Sequence, residues 1–96
     1  MYTAGAKVIL DFFNNEELAE KTRRLSTLMK DVRRKFAVSI NEVADFDDPE
    51  RCVLGIALCA ATRAGADKAI KAVLEYIDTH SVARVLSEES EIVAFD

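Results

Sequence analysis

The stretch Leu18–Val43, LAEKTRRLSTLMKDVRRKFAVSINEV, decides the fold of this 96-residue chain. Its first part repeats apolar residues at the spacing of an amphipathic helix, and its end alternates apolar and polar residues as a strand does. We therefore predict a helix over residues 16–36, with Asn15 as its N-cap, followed at once by a strand over residues 37–44. The buried stripe of the helix is expected to comprise Leu18, Leu25, Leu28, Met29, Val32 and Phe36.

The flanking segments complete a pattern of four strands and two helices. β-branched and aromatic residues predict a first strand over residues 7–13, and a nearly uncharged run predicts a third strand over residues 51–61. Apolar spacing predicts a second helix over residues 63–80, and a last strand is expected over residues 82–95. The order β-α-β-β-α-β predicts a single domain over residues 1–96 of the α+β class. Its arrangement is ferredoxin-like: a four-stranded antiparallel sheet with two helices on one face.

The face of the sheet away from the helices should remain uncovered in a monomer. The predicted strand over residues 51–61 is apolar on both faces, so its second face is expected to contact a partner. We predict a homo-oligomer, in the first instance a dimer, that forms through this open face. The predicted interface residues are Ile9, Val53, Ala57 and Val93.

The first helix concentrates positive charge in an acidic protein. The formal net charge of the chain is -4, whereas the segment 21–35 contains a single anion, Asp31, among its cations. RNA phosphates favour such a surface, so binding of RNA or of the ribosome is one interpretation. A solvated helix face, whose last cations complement the helix dipole, is the other interpretation. The candidate nucleic-acid-binding residues are Lys21, Arg23, Arg24, Lys30, Arg33, Arg34 and Lys35, of which Arg23, Lys30 and Arg34 should form an exposed ridge opposite the buried stripe.

The remaining residue patterns favour neither an enzyme nor a cofactor site. The acidic segment 45–50 lacks the glycine and the terminal glutamate of a calcium loop, so we interpret it as a polar turn. Cys52 and Cys59 have an odd spacing that puts them on opposite faces of one strand, where they cannot form a disulfide. His80 has no motif partner, and no C-x-x-C or glycine-rich phosphate loop is present. We predict a non-enzymatic protein with no metal and no cofactor.

Hydropathy and cysteine usage indicate where such a protein would be found. The longest run without a charged residue, Cys52–Thr62, is too short to span a bilayer. The N-terminal segment MYTAGAKVILDFF does not fit the pattern of a signal peptide. Two unpaired thiols fit a reducing compartment, so we expect a cytoplasmic protein that does not enter membranes.

Three segments resemble the YlxP-like family of small uncharacterised bacterial proteins. Leu18–Leu25, LAEKTRRL, is similar to the L-K-E-K-R-R-x-L run of that family. Lys35–Val43, KFAVSINEV, is similar to its K-F-N-V-S-V-A-E-V, and Arg51–Ala57, RCVLGIA, to its R-A-x-L-G-I-A. The resemblance implies a ferredoxin-like fold and a bacterial cytosolic protein. Some members are encoded beside translation-initiation and ribosome-maturation factors, which suggests association with RNA or the ribosome, but no established activity comes with the family.

The chain departs from the family pattern in three places. Phe13–Glu17 stands where the family has P-G-x-x-S, and Asp47–Arg51 lacks the tryptophan of the family's D-L-W-Q-R hairpin. Thr22 replaces one of the family's paired arginines, and Arg24 is added one position beyond the pair.

Overall fold

The computed structural model describes residues 1–81 and 83–96. Neighbouring strands are antiparallel throughout the sheet, in the order β2-β3-β1-β4. The architecture confirms the predicted βαββαβ, ferredoxin-like fold class. The elements along the chain are β1 (Tyr2–Asp11), α1 (Leu18–Lys35), β2 (Ser39–Ala44), β3 (Arg51–Ala60), α2 (Arg63–His80) and β4 (Arg84–Ala94).

The starts of β1 and α1 differ from the sequence-based expectation, and β2 begins at Ser39 rather than at residue 37. β1 begins at Tyr2 rather than at residue 7, because the whole segment pairs with both β3 and β4 although Ala4, Gly5 and Ala6 have little strand propensity of their own. α1 begins at Leu18, and its N-cap residue, Glu17, makes no capping hydrogen bond with its side chain. Asn15 is therefore not the N-cap residue. Its amide nitrogen instead donates to the carbonyl oxygens of Glu17, at 3.0 Å, and of Pro49, at 2.8 Å.

The last strand also starts later than expected. β4 begins at Arg84, and residue 82, where its start was predicted, lies outside the described part of the chain. A bulge then shifts the pairing, so that Ile9 faces Ser87 whereas Leu10 faces Val85. This shift leaves Leu86 exposed and turns Val85 towards the core.

A single apolar core lies between the sheet and the two helices. The core-facing strand residues include Val8, Leu10, Ile40, Leu54 and Ile56, and the helices contribute among others Leu25, Leu28, Val32, Ile70, Val73 and Ile77. Burial of each large aliphatic side chain contributes about 1.5–3 kcal/mol, so this layer is the main source of stability. Leu18 was predicted to belong to the stripe but is 39% exposed, and the buried face of α1 instead begins with Lys21.

The two helices pack against different strands of the sheet. α1 contacts β2, at one edge, and α2 contacts β1, β3 and β4. Neither helix of the described residues has the length and apolar character needed to cross a membrane.

Candidate nucleic-acid interface

The three cations predicted to form a ridge lie together on the solvent side of α1. Arg23, Lys30 and Arg34 are exposed, whereas Leu25 and Val32 on the opposite side of the helix are buried. A rise of 1.5 Å per residue separates the first and last cation of the ridge by about 16 Å along the helix axis. The sequence-based assignment of this ridge to the surface is confirmed, and we refer to these three residues as the α1 ridge.

Neighbouring carboxylates neutralise the α1 ridge only in part. Glu20 accepts a hydrogen bond from Arg23 Nε at 3.1 Å, and this contact raises the pKa of Arg23 and lowers the pKa of Glu20. Arg34 Nη1 lies 3.9 Å from Asp31 Oδ1, at the limit of an ion pair, and its side chain is 81% exposed. Among the described residues, Lys30 forms no ion pair. Because exposed pairs of this kind contribute about 0–1 kcal/mol, the ridge remains open to another anion.

Three further candidate cations are engaged by the protein itself. The guanidinium of Arg24 lies 5.4 Å from the centroid of the Phe12 ring, and Lys35 Nζ lies 5.3 Å from that of Tyr76. Arg33 Nη2 donates a hydrogen bond of 2.6 Å to the carbonyl oxygen of Ile40. These side chains keep their charge beside the α1 ridge, but their positions are set by intramolecular contacts.

The seventh candidate, Lys21, lies inside the protein. Its side chain is 1% exposed, and Nζ donates to the carbonyl oxygens of Asp45 at 2.8 Å, Asp48 at 2.6 Å and Arg51 at 2.8 Å. Glu42 Oε2 lies 3.1 Å from the same nitrogen and balances its charge. An ammonium group has three protons, and the three carbonyls use them, so Glu42 acts here as a counter-ion. Lys21 is not available to a nucleic acid, and its assignment to the binding surface was wrong.

The position of Lys21 in the sequence indicated that it is buried, although its charge suggested exposure. It precedes Leu25 by four residues and Leu28 by seven, which places it on the buried stripe of α1. Lysine is rarely fully buried without a partner, so sequence reasoning assigned it to the surface. Its hydrogen-bond partners are backbone carbonyls of a loop that lies more than 20 residues away in the sequence. No pattern of residue types in the sequence predicts such backbone partners.

The acidic hairpin loop, residues 45–50, is organised around this ammonium group. Asp48 Oδ1 accepts hydrogen bonds from the backbone N–H groups of Glu50, at 2.8 Å, and Arg51, at 3.2 Å, and these bonds lower the pKa of Asp48. Asp45 adopts a left-handed conformation with φ of 60°. The resulting turn directs its carbonyl oxygens inwards, onto Lys21. No group of metal-ligating side chains occurs among the described residues, in this loop or elsewhere.

A groove runs beside the α1 ridge, between α1 and the C-terminal end of α2. Its volume is about 360 Å³, and its lining includes Phe12, Arg23, Arg24, Thr27 and His80. The exposed ring of His80 stacks on the ring of Tyr76, with centroids 4.0 Å apart. His80 Nδ1 also lies 3.1 Å from the carbonyl oxygen of Tyr76. A flat ring held next to cationic side chains is suited to stacking against a nucleobase.

The four predicted interface residues share the open face of the sheet. Ile9 is paired with Val53, Thr3 with Val93, and Gly5 with Ala57 in the strand register. Ala57 and Val93 are exposed and Ile9 is half-buried, but Val53 is only 8% exposed within the single chain. Val53 therefore has little surface left to offer to a partner.

The two cysteines lie on opposite faces, as the odd spacing predicted. Cys52 is buried on the core face, Cys59 is exposed, and both are free thiols. Burial raises the pKa of Cys52 to about 12, so this thiol is protonated at physiological pH and is not a nucleophile.

A comparison of the sequence with models of protein families assigns a family over most of the chain. The model of the DUF503 family, described as proteins of unknown function, matches residues 4–90. The chain belongs to the DUF503 family. A comparison of this DUF503 chain with curated proteins finds no significant match.

Three solved structures are similar to this DUF503 protein at low sequence identity, and the first of them supports the ferredoxin-like fold. A de novo designed protein with a ferredoxin fold is 17% identical, with a TM-score of 0.57, over 99% of this chain and 88% of the designed one. The de novo designed protein Ferredog-Diesel is 12% identical, with a TM-score of 0.44, over 96% of this chain and 84% of that one. A REP-associated tyrosine transposase bound to a REP hairpin is 15% identical, with a TM-score of 0.46, over 98% of this chain and 57% of that one.

Proposed function

We propose that this DUF503 protein is a non-enzymatic, cytoplasmic RNA-binding protein that contacts phosphate groups of RNA, including ribosomal RNA, through α1. The observation that carries the proposal is the α1 ridge, which presents three exposed cations on one side of one helix. Each phosphate that such a cation neutralises releases condensed counterions, and this release drives the association.

Two features beside the ridge support the same function. The groove between α1 and α2 has Arg24 and the exposed ring of His80 in its lining, so a base adjoining the bound phosphates has a stacking partner. The YlxP-like resemblance agrees with DUF503 membership and, through the gene neighbourhood of that family, favours an RNA of the translation machinery. We propose that the chain is a YlxP-like member of the family.

The competing interpretation is that the α1 ridge only solvates the helix. The two interpretations differ in salt dependence, because phosphate contacts release counterions and a solvated face does not. We therefore propose to change Arg23, Lys30 and Arg34 together to glutamine and to measure association with single-stranded RNA and with purified ribosomes at several salt concentrations. Exposed substitutions of this kind should shift the free energy of unfolding by less than about 0.5 kcal/mol each.

The expected result is weaker association and a slope of log affinity against log salt that is flatter by up to roughly 3 units. The matched control changes Lys7, Lys68 and Lys71 to glutamine, which removes the same amount of charge from exposed positions outside α1. Loss of affinity in the ridge variant alone supports the proposal. An unchanged salt slope in the ridge variant, or equal losses in both variants, contradicts it.

A second candidate function is a homo-oligomeric interaction module that assembles through the open face of the sheet. The observation that favours it is exposed apolar surface on that face, where Val93 is 45% exposed and Val43 49% exposed. Ala57→Glu and Val93→Glu should lower the assembled mass in sedimentation, whereas Ala72→Glu, on the exposed side of α2, should not. A wild-type chain that sediments as a monomer at high concentration contradicts this candidate.

A further inference from the structure

The two edges of the sheet are finished in different ways. β2, at one edge, has six residues, and a bulge at Val43 interrupts its pairing with β3. Arg33 reaches over from α1 and donates to the carbonyl oxygen of Ile40 in the same strand. Short length, a bulge and a covering side chain are the usual means by which proteins protect a strand edge from further pairing.

β4, at the opposite edge, has none of these protections along most of its length. It has 11 residues, pairs with β1 from Arg84 to Ala94, and is regular from Ser87 onwards. It contains neither proline nor lysine, and no strand of the described residues pairs with its outer side. Its outward N–H and C=O groups therefore form a template for one more strand.

Carboxylates flank this open edge on both sides of the sheet. On the open face, Glu89 and Glu91 border a shallow trough over Gly5 and Lys7. On the helix side, Glu88 shares a shallow depression with Glu75 and Asp78 of α2. The cations that line these two depressions, Lys7 and Lys71, are both already paired, Lys7 with Glu89 at 3.7 Å and Lys71 with Asp67 at 2.8 Å.

We propose that the outer edge of β4 binds an extended, lysine- or arginine-rich segment of another protein by strand addition. Main-chain hydrogen bonds to β4 would provide the affinity. Successive side chains of an added strand point to opposite faces of the sheet, so on either face a basic side chain would meet glutamates. A second copy of β4 fits this edge poorly, because antiparallel self-pairing would bring the glutamates of the two copies together.

This surface is separate from the α1 ridge. α1 lies over the β2 edge of the sheet, whereas β4 is covered by α2, so the basic and the acidic surfaces occupy opposite sides of the molecule. The proposal therefore does not depend on RNA binding, and the protein can hold a basic segment while α1 remains free.

The test uses a capped peptide of alternating lysine and valine, about eight residues long, which is enough for a typical strand. Binding is measured by titration, and amide hydrogen exchange of the full chain is followed by NMR. The expected result is salt-sensitive binding in which every second amide of β4 from Ser87 onwards gains protection while the amides of β2 do not. Methylation of the peptide nitrogens on one edge should abolish binding, since it removes the donors that a strand needs.

Variants of the protein separate the edge from general charge attraction. Changing Glu88, Glu89 and Glu91 to glutamine should weaken binding of the peptide by about tenfold. The matched control changes Glu16, Glu17 and Glu50, which are exposed and lie outside β4, and should leave the affinity nearly unchanged.

Three outcomes would overturn the proposal. The first is an absence of peptide binding, and the second is binding that the methylated peptide reproduces without protection of β4 amides. The third is protection of β4 amides in concentrated protein without peptide, accompanied by a doubled mass. That outcome would assign the edge to a second copy of the chain.

Discussion

Lys21 Nζ lies 2.6 Å from the carbonyl oxygen of Asp48, and this contact joins the first turns of α1 to the β2–β3 hairpin loop. The two residues are 27 positions apart. The carbonyl oxygens of Asp45 and Arg51 complete the hydrogen bonds of the same ammonium group. The acidic hairpin loop thus holds a cation of the same chain, the Lys21 ammonium group, through its backbone carbonyl oxygens rather than through its carboxylates.

Replacing Lys21 by methionine should destabilise the protein strongly. The change keeps most of the side-chain volume but leaves buried carbonyls without donors and the Glu42 carboxylate without its counter-ion. Removing one partner of a buried ion pair typically costs about 3–5 kcal/mol. Urea unfolding followed by circular dichroism measures this loss, with the exposed Lys30→Met as the matched control at less than about 0.5 kcal/mol.

A second substitution shows whether the charge or the hydrogen bonds dominate. Glu42→Gln in the Lys21→Met background should restore part of the stability, because it removes the uncompensated carboxylate. Equal stability of the Lys21→Met and Lys30→Met variants would contradict the buried position of Lys21.

The hairpin loop should loosen at acid pH through Asp48. The pKa of Asp48 in the folded protein lies below the usual value of 3.8, because the carboxylate accepts hydrogen bonds from two backbone N–H groups. The stability that Asp48 contributes is therefore present above the pKa of the unfolded chain and is lost as pH falls through the lower pKa of the folded state. The difference in unfolding free energy between wild type and Asp48→Ala should shrink as pH falls below about 4.

Asp47→Ala is the control for that measurement, since Asp47 has no hydrogen bond to the hairpin amides among the described contacts. A wild-type to Asp48→Ala difference that stays constant between neutral pH and about pH 2 would show that the Asp48 carboxylate does not hold the turn.

The side chain of Val43 crosses Gly55 on the open face. A Cβ atom at residue 55 would lie 2.8 Å from Val43 Cγ1, whereas a Cβ at Gly5 would have only the carbonyl oxygen of Ile56 nearby, at 3.9 Å. Glycine in a strand is less stable than alanine by roughly 0.5–1 kcal/mol, so Gly5→Ala should stabilise the protein. At residue 55 the close contact with Val43 should cancel or reverse this gain.

A double-mutant cycle measures the contact between these two residues. Gly55→Ala should become stabilising once Val43 is replaced by alanine, with a coupling free energy of about 0.5–1 kcal/mol or more. Additive effects of the two substitutions in chemical denaturation would mean that Val43 does not lie against Gly55.

The two cysteines should differ in reactivity by orders of magnitude. Cys59 is exposed, while Cys52 is buried and has a pKa of about 12, so its thiolate is nearly absent at neutral pH. An aromatic disulfide reagent should titrate one thiol rapidly in the native protein and the second only at the rate of unfolding, and Cys59→Ser should remove the fast phase. In concentrated urea both thiols should react quickly. Rapid reaction of both thiols in the native state would contradict the burial of Cys52.

Most of the fold was predictable because its elements repeat local patterns. The second helix was predicted over residues 63–80 and occurs as Arg63–His80. The first five residues of β1, residues 2–6, escaped prediction because Ala4, Gly5 and Ala6 have little strand propensity, and the segment becomes a strand through pairing on both sides with β3 and β4. The bulge at Leu86 escaped for the same kind of reason, since register belongs to a pair of strands and not to one segment.

The candidate site was predictable only in part. The spacing of Arg23, Lys30 and Arg34 along α1 placed them opposite the apolar stripe, and a helix surface is a local property, so their exposure followed. The contacts that engage Arg24, Arg33 and Lys35 depend on side chains or carbonyls of other elements, and no periodicity within α1 reveals them.

The sequence by itself determined the order of the elements, the buried stripe of α1 from Leu25 to Val32 and the exposure of the α1 ridge, because each depends on the period of a helix or a strand. Only the tertiary structure decided that Lys21 is buried, and that the β2 edge of the sheet is protected whereas the β4 edge is open. A buried ammonium group is stable only where hydrogen-bond acceptors, here three carbonyl oxygens and the Glu42 carboxylate, converge on it. That convergence arises when the hairpin loop and α1 pack together, and it is absent from every local segment of the chain.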